Sequence, residues 1–288
     1  MINMFKLRYS QKFLQSNKIV KRILSLSSIN KNDTVYEIGC GKGIITKHLA
    51  GICNNVIGVE LDNNLYSSLK AKFRGSSNIK IIEADFLDIH LPKSYPYKVF
   101  SNIPFNITTQ IIQKLTNINN CPTESYLIVQ KEVALKYIGK YGITMQSLLL
   151  IPFFDFKIIY EFQKFDFTPV PRVETVLLHI KLKKEHLIER KQCNNYQDFV
   201  TYIFSKDKAI IKTAFQELFT YKQLKRLGED YKFNINDNIS SISYNNWIEL
   251  FNFFIKNVSN EKQIMVANKF RKLKKHKQKK RNKRKDVQ

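Results

Sequence analysis

The feature that most constrains this chain is the run Glu37-Ile38-Gly39-Cys40-Gly41-Lys42-Gly43, set between an apolar stretch and a helical pattern that begins at Ile44. Glycines at this spacing permit a tight turn, let a ligand approach the backbone and allow close helix packing. Alone the signal is weak, because Gly-X-Gly-X-Gly also occurs in structural turns. Its context strengthens it. A strand precedes it, a helix follows, and Glu60 closes the next strand, where a carboxylate can accept both hydroxyls of a ribose. The combination suits an adenosine-containing cofactor. A nicotinamide dinucleotide site favours Gly-X-Gly-X-X-Gly, and Ile44 or Thr46 stands where its third glycine would fall.

Strand and helix patterns alternate around this loop. Strands are predicted over Thr34–Gly39, Val56–Leu61, Ile79–Ala84, Tyr97–Ile103 and Ser125–Val129, with helices over Ile44–Cys53, Leu65–Phe73 and Thr109–Leu115. Such alternation predicts an α/β fold, a mostly parallel sheet with helices on both faces. Helical spacing follows at Lys131–Ile138 and Met145–Phe153. Strands at Phe156–Phe162 and Thr175–Leu182 would then close the sheet edge as an antiparallel pair. Beyond Lys183 only helical spacing appears, so we expect a sheet domain over 1–183 and a small all-α domain over 184–262. From Lys269 to Lys285 most residues are Lys or Arg and only Leu273 is aliphatic, which predicts a disordered basic tail over 263–288.

Within this frame Ser101-Asn102-Ile103-Pro104-Phe105-Asn106 falls where the fourth strand ends, the place where open α/β sheets bind ligands. Pro104 disfavours helix at Ile103 and turns local backbone groups outward. An exocyclic amine such as adenine N6 carries two hydrogens, which the Asn102 side-chain oxygen and the Ile103 carbonyl could accept while Phe105 stacks on the ring. An ordinary strand-to-loop turn is the competing reading of Asn-X-Pro-aromatic. Asp85 follows the third strand, where its carboxylate could accept from a cofactor's adenine amine and Phe86 could pack on the ring. An Asp at a strand end is also commonplace.

Charge selects the partner. With 48 Lys and Arg against 24 Asp and Glu the formal charge is +24, which points to a polyanion, and no apolar run approaches a membrane span. Nucleic acid is therefore favoured over an anionic membrane. Cys40, Cys53, Cys121 and Cys193 are scattered without ligand spacing, so reduced thiols, a cytoplasmic location and no metal are expected. Residues 1–32 lack Asp and Glu, and read as a basic arm facing RNA in preference to an organellar transit peptide.

Ser10-Gln11-Lys12-Phe13, Glu37 to Gly43, Val59-Glu60-Leu61-Asp62, Ala84-Asp85-Phe86, Ser101 to Phe105 and Phe167-Thr168-Pro169-Val170-Pro171-Arg172-Val173 occur in the order and spacing of the Erm family. Over about residues 8–260 the chain resembles these rRNA adenine N6-methyltransferases, relatives of the KsgA-type small-subunit dimethyladenosine transferases. The resemblance implies a class I methyltransferase (Rossmann-like) fold, S-adenosyl-L-methionine as cofactor, and 23S rRNA as partner. It implies macrolide, lincosamide and streptogramin B resistance, and we expect a monomer. By it Gln11, Lys12, Leu14, Gly39, Gly41, Glu60, Asp85, Phe86 and Asn102 would line the cofactor. Asn102, Ile103, Pro104 and Phe105 would hold the target adenine, with Phe167 as a second aromatic wall opposite Phe105. Lys12 stands where the family usually has Asn or His, and Phe105 where it usually has Tyr. The alternatives are small-subunit rRNA modification, DNA adenine methylation and a non-catalytic RNA-binding protein on the same fold.

Overall fold

The computed structural model describes residues 13–140 and 142–276. Gln11 and Lys12, expected at the cofactor, lie outside the described residues. Those described fall into two compact units: one takes residues up to 134 together with 154–183, the other takes 135–153 and the residues from 184 onward.

The sheet unit carries a short strand β1 (Phe13–Leu14) and seven strands of one sheet: β2 (Thr34–Ile38), β3 (Asn55–Glu60), β4 (Ile79–Glu83), β5 (Lys98–Asn102), β6 (Glu124–Gln130), β7 (Phe154–Glu161) and β9 (Thr175–Leu182). Their order is β4-β3-β2-β5-β6-β9-β7. Parallel pairing runs from β4 to β6, and β9 is antiparallel to both β6 and β7, as the late strand patterns predict. The chain travels outward from β2 through β3 to β4, then returns to lay β5 on the other side of β2. That reversal is a topological switch point, where strand ends leave a crevice for ligands. Val99, Phe100, Leu127, Ile128, Leu177 and Leu178 are fully buried along the central strands. Each such side chain contributes roughly 1.5–3 kcal/mol.

From Phe13 onward the basic N-terminal segment is part of this unit rather than a free arm. Helix α1 (Asn17–Ser25) starts at Ser16, whose hydroxyl accepts from Lys18 N at 3.2 Å. Its Val20, Ile23 and Leu24 enter the core, while Lys18, Lys21 and Arg22 are exposed. Sequence charge without a helical stripe reads as an arm; the stripe of apolar residues is what docks it. Helices α2 (Ile44–Ala50), α3 (Asn63–Lys72) and α4 (Thr108–Leu115) complete the parallel crossovers.

The chain leaves the sheet unit within α5 (Lys131–Ile138), and residues 135–153 belong to the helical unit, so the domain expected over 1–183 is interrupted. Helix α6 (Met145–Leu150), capped by Thr144, buries Ser147, Leu148 and Leu149. It is held by Tyr196, whose hydroxyl donates to the Leu148 carbonyl at 3.0 Å. Met145–Phe153 was expected as one helix; it ends at Leu150, and Phe153 is buried just before β7.

Helices α7 (Cys193–Phe204), α8 (Ile211–Phe215), α9 (Tyr221–Tyr231), α10 (Tyr244–Asn257) and α11 (Asn260–Val266) build the rest of the helical unit. An aromatic cluster of Phe199, Phe215, Trp247, Phe251 and Phe254 fills it, with Phe199 to Phe254 ring centroids 5.0 Å apart and Phe215 to Trp247 centroids 5.5 Å apart. Part of the tail expected to be disordered over 263–288 is ordered: α11 reaches Val266 and residues 269–276 are helical. Asp198 on α7 accepts from the backbone N–H groups of Asn268 at 2.7 Å and Phe270 at 2.9 Å. A carboxylate there satisfies donors that a helix start leaves open and complements its dipole. The remainder of the tail, 277–288, lies outside the described residues.

Candidate active site

The loop after β2 places Gly39, Gly41 and Gly43 at φ +69°, +55° and +73°, a conformation that side-chain-bearing residues resist. Gly43 also meets α3 closely: a Cβ there would fall 2.7 Å from Leu69 Cδ2. Gly39 differs, because a Cβ on it would meet nothing nearer than Pro104 Cδ at 4.0 Å. The space before Gly39 is therefore left open by the protein. It is part of a cavity of about 640 Å³ lined by Leu14, Gly39, Gly41, Glu60, Asp85 and Phe86. Asn102, Ile103, Pro104 and Phe105 line the same cavity. Every expected cofactor and target-base residue among those described thus converges on one space, with one exception.

That exception is Phe167. It lies in β8 (Phe167–Thr168), which pairs with β1, Leu14 opposite Phe167. This pairing turns the ring inward; it is fully buried, packed 5.1 Å from the Phe162 ring in the core cluster. Phe167 is therefore no wall opposite Phe105 here; its neighbour Thr168 lines the cavity instead. Strand alternation decides this, and a loop reading of the Phe-Thr-Pro run misses it.

Glu60 holds the site together. Its Oε1 accepts from Leu61 N at 2.9 Å and Asp62 N at 3.0 Å, and its Oε2 accepts from Gly41 N at 2.8 Å. A carboxylate offers about four lone-pair sites, so roughly one remains, on Oε2, where the sequence reading expected two ribose hydroxyls. Asp85 Oδ1 is likewise engaged, accepting from Leu87 N at 2.8 Å and fixing the turn beyond β4. Phe86 is nearly buried, its carbonyl accepting from the Lys114 ammonium, which stands 5.1 Å from the ring centroid.

The loop after β5 is fastened from both sides. Ser101, fully buried, accepts from Ile38 N at 3.1 Å and donates to the Ile38 carbonyl. Beyond Pro104, the Thr108 hydroxyl donates to the Phe105 carbonyl at 3.1 Å, and Ile107 N donates to the Pro104 carbonyl at 3.3 Å. Phe105 opens a short 3-10 turn and is half-buried.

Three contributors were not singled out from sequence. Phe13 supports the glycine loop from below, so that a Cβ on Gly41 would come 2.8 Å from its ring. Glu37 is buried and accepts from Thr46 Oγ1 at 2.6 Å. Burial, more than the nearby charge of Glu60, pushes the Glu37 carboxyl up to about 8, so it is largely protonated at neutral pH. Cys40 lies between them; burial first, then the two glutamates, raise its thiol well above the usual range, which leaves it inert. The detectable signal was a lone acid inside an otherwise apolar strand. Among the described residues no group of His, Cys, Asp and Glu could hold a metal ion, and no helix is long and apolar enough to cross a membrane.

Residues 2–256 match the family model described as ribosomal RNA adenine dimethylase. An rRNA adenine N-6-methyltransferase of Bacteroides fragilis is 32% identical over 243 residues, 84% of this chain and 90% of the relative. One of Bacillus licheniformis is 30% identical over 253 residues, 88% of each chain. The crystal structure of the 23S rRNA methyltransferase ErmE superposes with a TM-score of 0.76 at 24% identity, covering 85% of this chain and 100% of that one. A dimethyladenosine transferase from Plasmodium falciparum superposes at 0.68 with 20% identity, covering 85% and 98%. At these identities the two structures establish the shared fold, and the sequence matches establish the kinship: this chain belongs to the ribosomal RNA adenine dimethylase family and is an rRNA adenine N6-methyltransferase.

Proposed function

We propose that the chain transfers methyl groups from S-adenosyl-L-methionine to N6 of an unpaired adenine in 23S rRNA, and so confers macrolide, lincosamide and streptogramin B resistance in the cytoplasm. The observation that carries this reading is the convergence of the Asn102–Phe105 loop with the glycine loop, Glu60 and Asp85 on one cavity. An adenosyl group fits the residues present. The open face of Gly39 admits a ligand against the backbone, Glu60 Oε2 retains room for a hydroxyl, and Asp85 with Phe86 supplies an acceptor and a ring for adenine. When bound, the cofactor supplies an electrophilic methyl group on a sulfonium.

The rest is done by this chain's own groups. The Asn102 side-chain oxygen and the Ile103 carbonyl accept the two N6 hydrogens, which draws the nitrogen lone pair out of conjugation with the ring. Phe105 stacks on the base and fixes its plane. No side chain has to remove a proton before attack; the proton leaves after the new N–C bond has formed, passing to solvent. Catalysis is then mainly positioning. The methyl group removes a hydrogen-bond donor and adds bulk where the drug would contact the ribosome.

Chemistry at the cavity is common to large- and small-subunit targets. The likeness of the Ser101–Phe105 run and the Phe167–Val173 loop to the Erm family favours the large subunit. Labelled methyl transfer to rRNA, with the modified adenine mapped by primer extension, tests the reading. Modification of a large-subunit adenine together with erythromycin tolerance in a susceptible host is expected. A small-subunit adenine modified in a host that stays sensitive would replace it with the KsgA-type function.

A further inference from the structure

Phe165 is 84% exposed in the sheet unit, on a surface where apolar rings are normally covered. Its position is fixed. It sits in the short turn Lys164–Asp166, where Gln163 N donates to Asp166 Oδ2 at 2.8 Å and Asp166 N to the Gln163 carbonyl at 3.1 Å. From outside the turn, Gln15 N donates to the Asp166 carbonyl at 3.1 Å. These bonds fix the backbone of the turn that presents the exposed ring.

Beside it is a second cavity, about 280 Å³, separate from the first in its lining except that both adjoin the same chain segment. Phe165, Phe162, Pro171 and Val173 give it apolar walls and Gln163 an amide able to donate and accept. Its two carboxylates, Glu161 and Glu174, are drawn to Lys131 at 2.9 and 3.6 Å, which neutralises part of their charge. Lys164 and Arg172 are exposed next to Phe165 and Pro171 in the chain, and the whole protein carries +24. Thr168, on the reaction cavity, follows Phe165 by three residues, a reach of at most about 11 Å.

We propose that Phe165 and this cavity form a second nucleobase subsite, which stacks an unpaired base flanking the target adenine. A flat apolar wall with an adaptable amide suits a base, cations beside it suit the adjoining phosphate, and the distance to Thr168 suits a neighbour in the same strand. The subsite holds the RNA in register after the target base has left its stack. It rests on the proposed target-base site at Asn102, and its contribution is to RNA binding and not to the methyl-transfer step.

The test compares full-length wild type with Phe165→Ala and Phe165→Trp; the exposed position makes both variants compatible with folding. Binding of a fluorescently labelled large-subunit rRNA stem-loop containing an unpaired adenine is read by anisotropy, without cofactor. Phe165→Ala should weaken binding about tenfold, the scale of one base-aromatic stack, and Phe165→Trp should stay within roughly twofold of wild type. In methyl transfer the alanine variant should raise KM for RNA and leave kcat unchanged. Equal affinity of wild type and Phe165→Ala overturns the proposal, as does a tryptophan variant as weak as alanine. Loss of self-association with unchanged RNA affinity also overturns it and makes this face a contact between copies of the chain. If wild type binds the stem-loop in a Phe165-dependent way yet methylates no rRNA, the subsite stands and the proposed function fails.

Discussion

The sheet unit and the helical unit are built on opposite terms. In the sheet unit the cavity is walled largely by backbone: left-handed glycines, a carboxylate holding three N–H groups, and a Pro-directed loop at the switch point. The helical unit is filled by mass, a cluster of five large aromatic side chains, with its polar bonds, such as Tyr196 to Leu148 and Asp198 to the amides of Asn268 and Phe270, tying separate segments together. Where function depends on turns, individual residue identities matter. Where a unit depends on a filled core, volume and pattern matter and identity is freer.

Four substitutions sharpen that contrast, beginning with the most disruptive. Trp247 is fully buried and its indole N–H has no partner among the described residues, so its role is volume. Trp247→Ala should cost about 3–5 kcal/mol in chemical denaturation, and Trp247→Phe far less. A phenylalanine variant as unstable as the alanine would contradict the volume argument. Asn102→Ala should lower methyl transfer by about a hundredfold, the scale of one lost preorganised contact. Cofactor affinity by calorimetry should change much less; equal losses would move Asn102 from the target base to the cofactor.

Gly58 is third. A Cβ there would stand 2.5 Å from Cys40 Sγ and 2.9 Å from Ile81 Cδ1, so Gly58→Ala should cost roughly 1–3 kcal/mol. Adding Cys40→Ala should recover part of the loss; strict additivity would show the clash to be elsewhere. The smallest effect concerns Glu37. Folded, its carboxyl holds a proton up to about pH 8, against 4.5 for an ordinary glutamate. The folded state binds more protons in that window, so its contribution falls as pH rises through it. Glu37→Gln should flatten stability between those values in denaturation series, and an unaltered slope would mean that Glu37 is ionised.

Much of the sheet unit was legible because its signals are local. Gly39, Gly41 and Gly43 announce a turn, Pro104 directs a loop, and alternation across residues 34–130 dictates a parallel sheet. What escaped depends on partners distant in sequence. The ordered start of the tail rests on Asp198, some seventy residues upstream of the amides it caps. The inward turn of Phe167 follows from pairing with Leu14. Residues 135–153 join the helical unit through contacts such as Tyr196 to Leu148, which no periodicity discloses. The engagement of Glu60 by Gly41, Leu61 and Asp62 was hidden because a strand-end carboxylate reads the same whether it faces a ligand or its own loops.

The bridge between Ser101 and Ile38 sets the gauge of the instrument. β2 and β5 share register at only Val35 with Lys98 and Tyr36 with Val99, and beyond those rungs the hydroxyl of Ser101 spans the seam. A single oxygen atom therefore joins the edge bearing Gly39 to the edge bearing Asn102 beyond the last backbone rung. That tie sits in the sheet, one residue before Gly39 on one strand and one before Asn102 on the other. Residues in the loops beyond it can change without removing that tie.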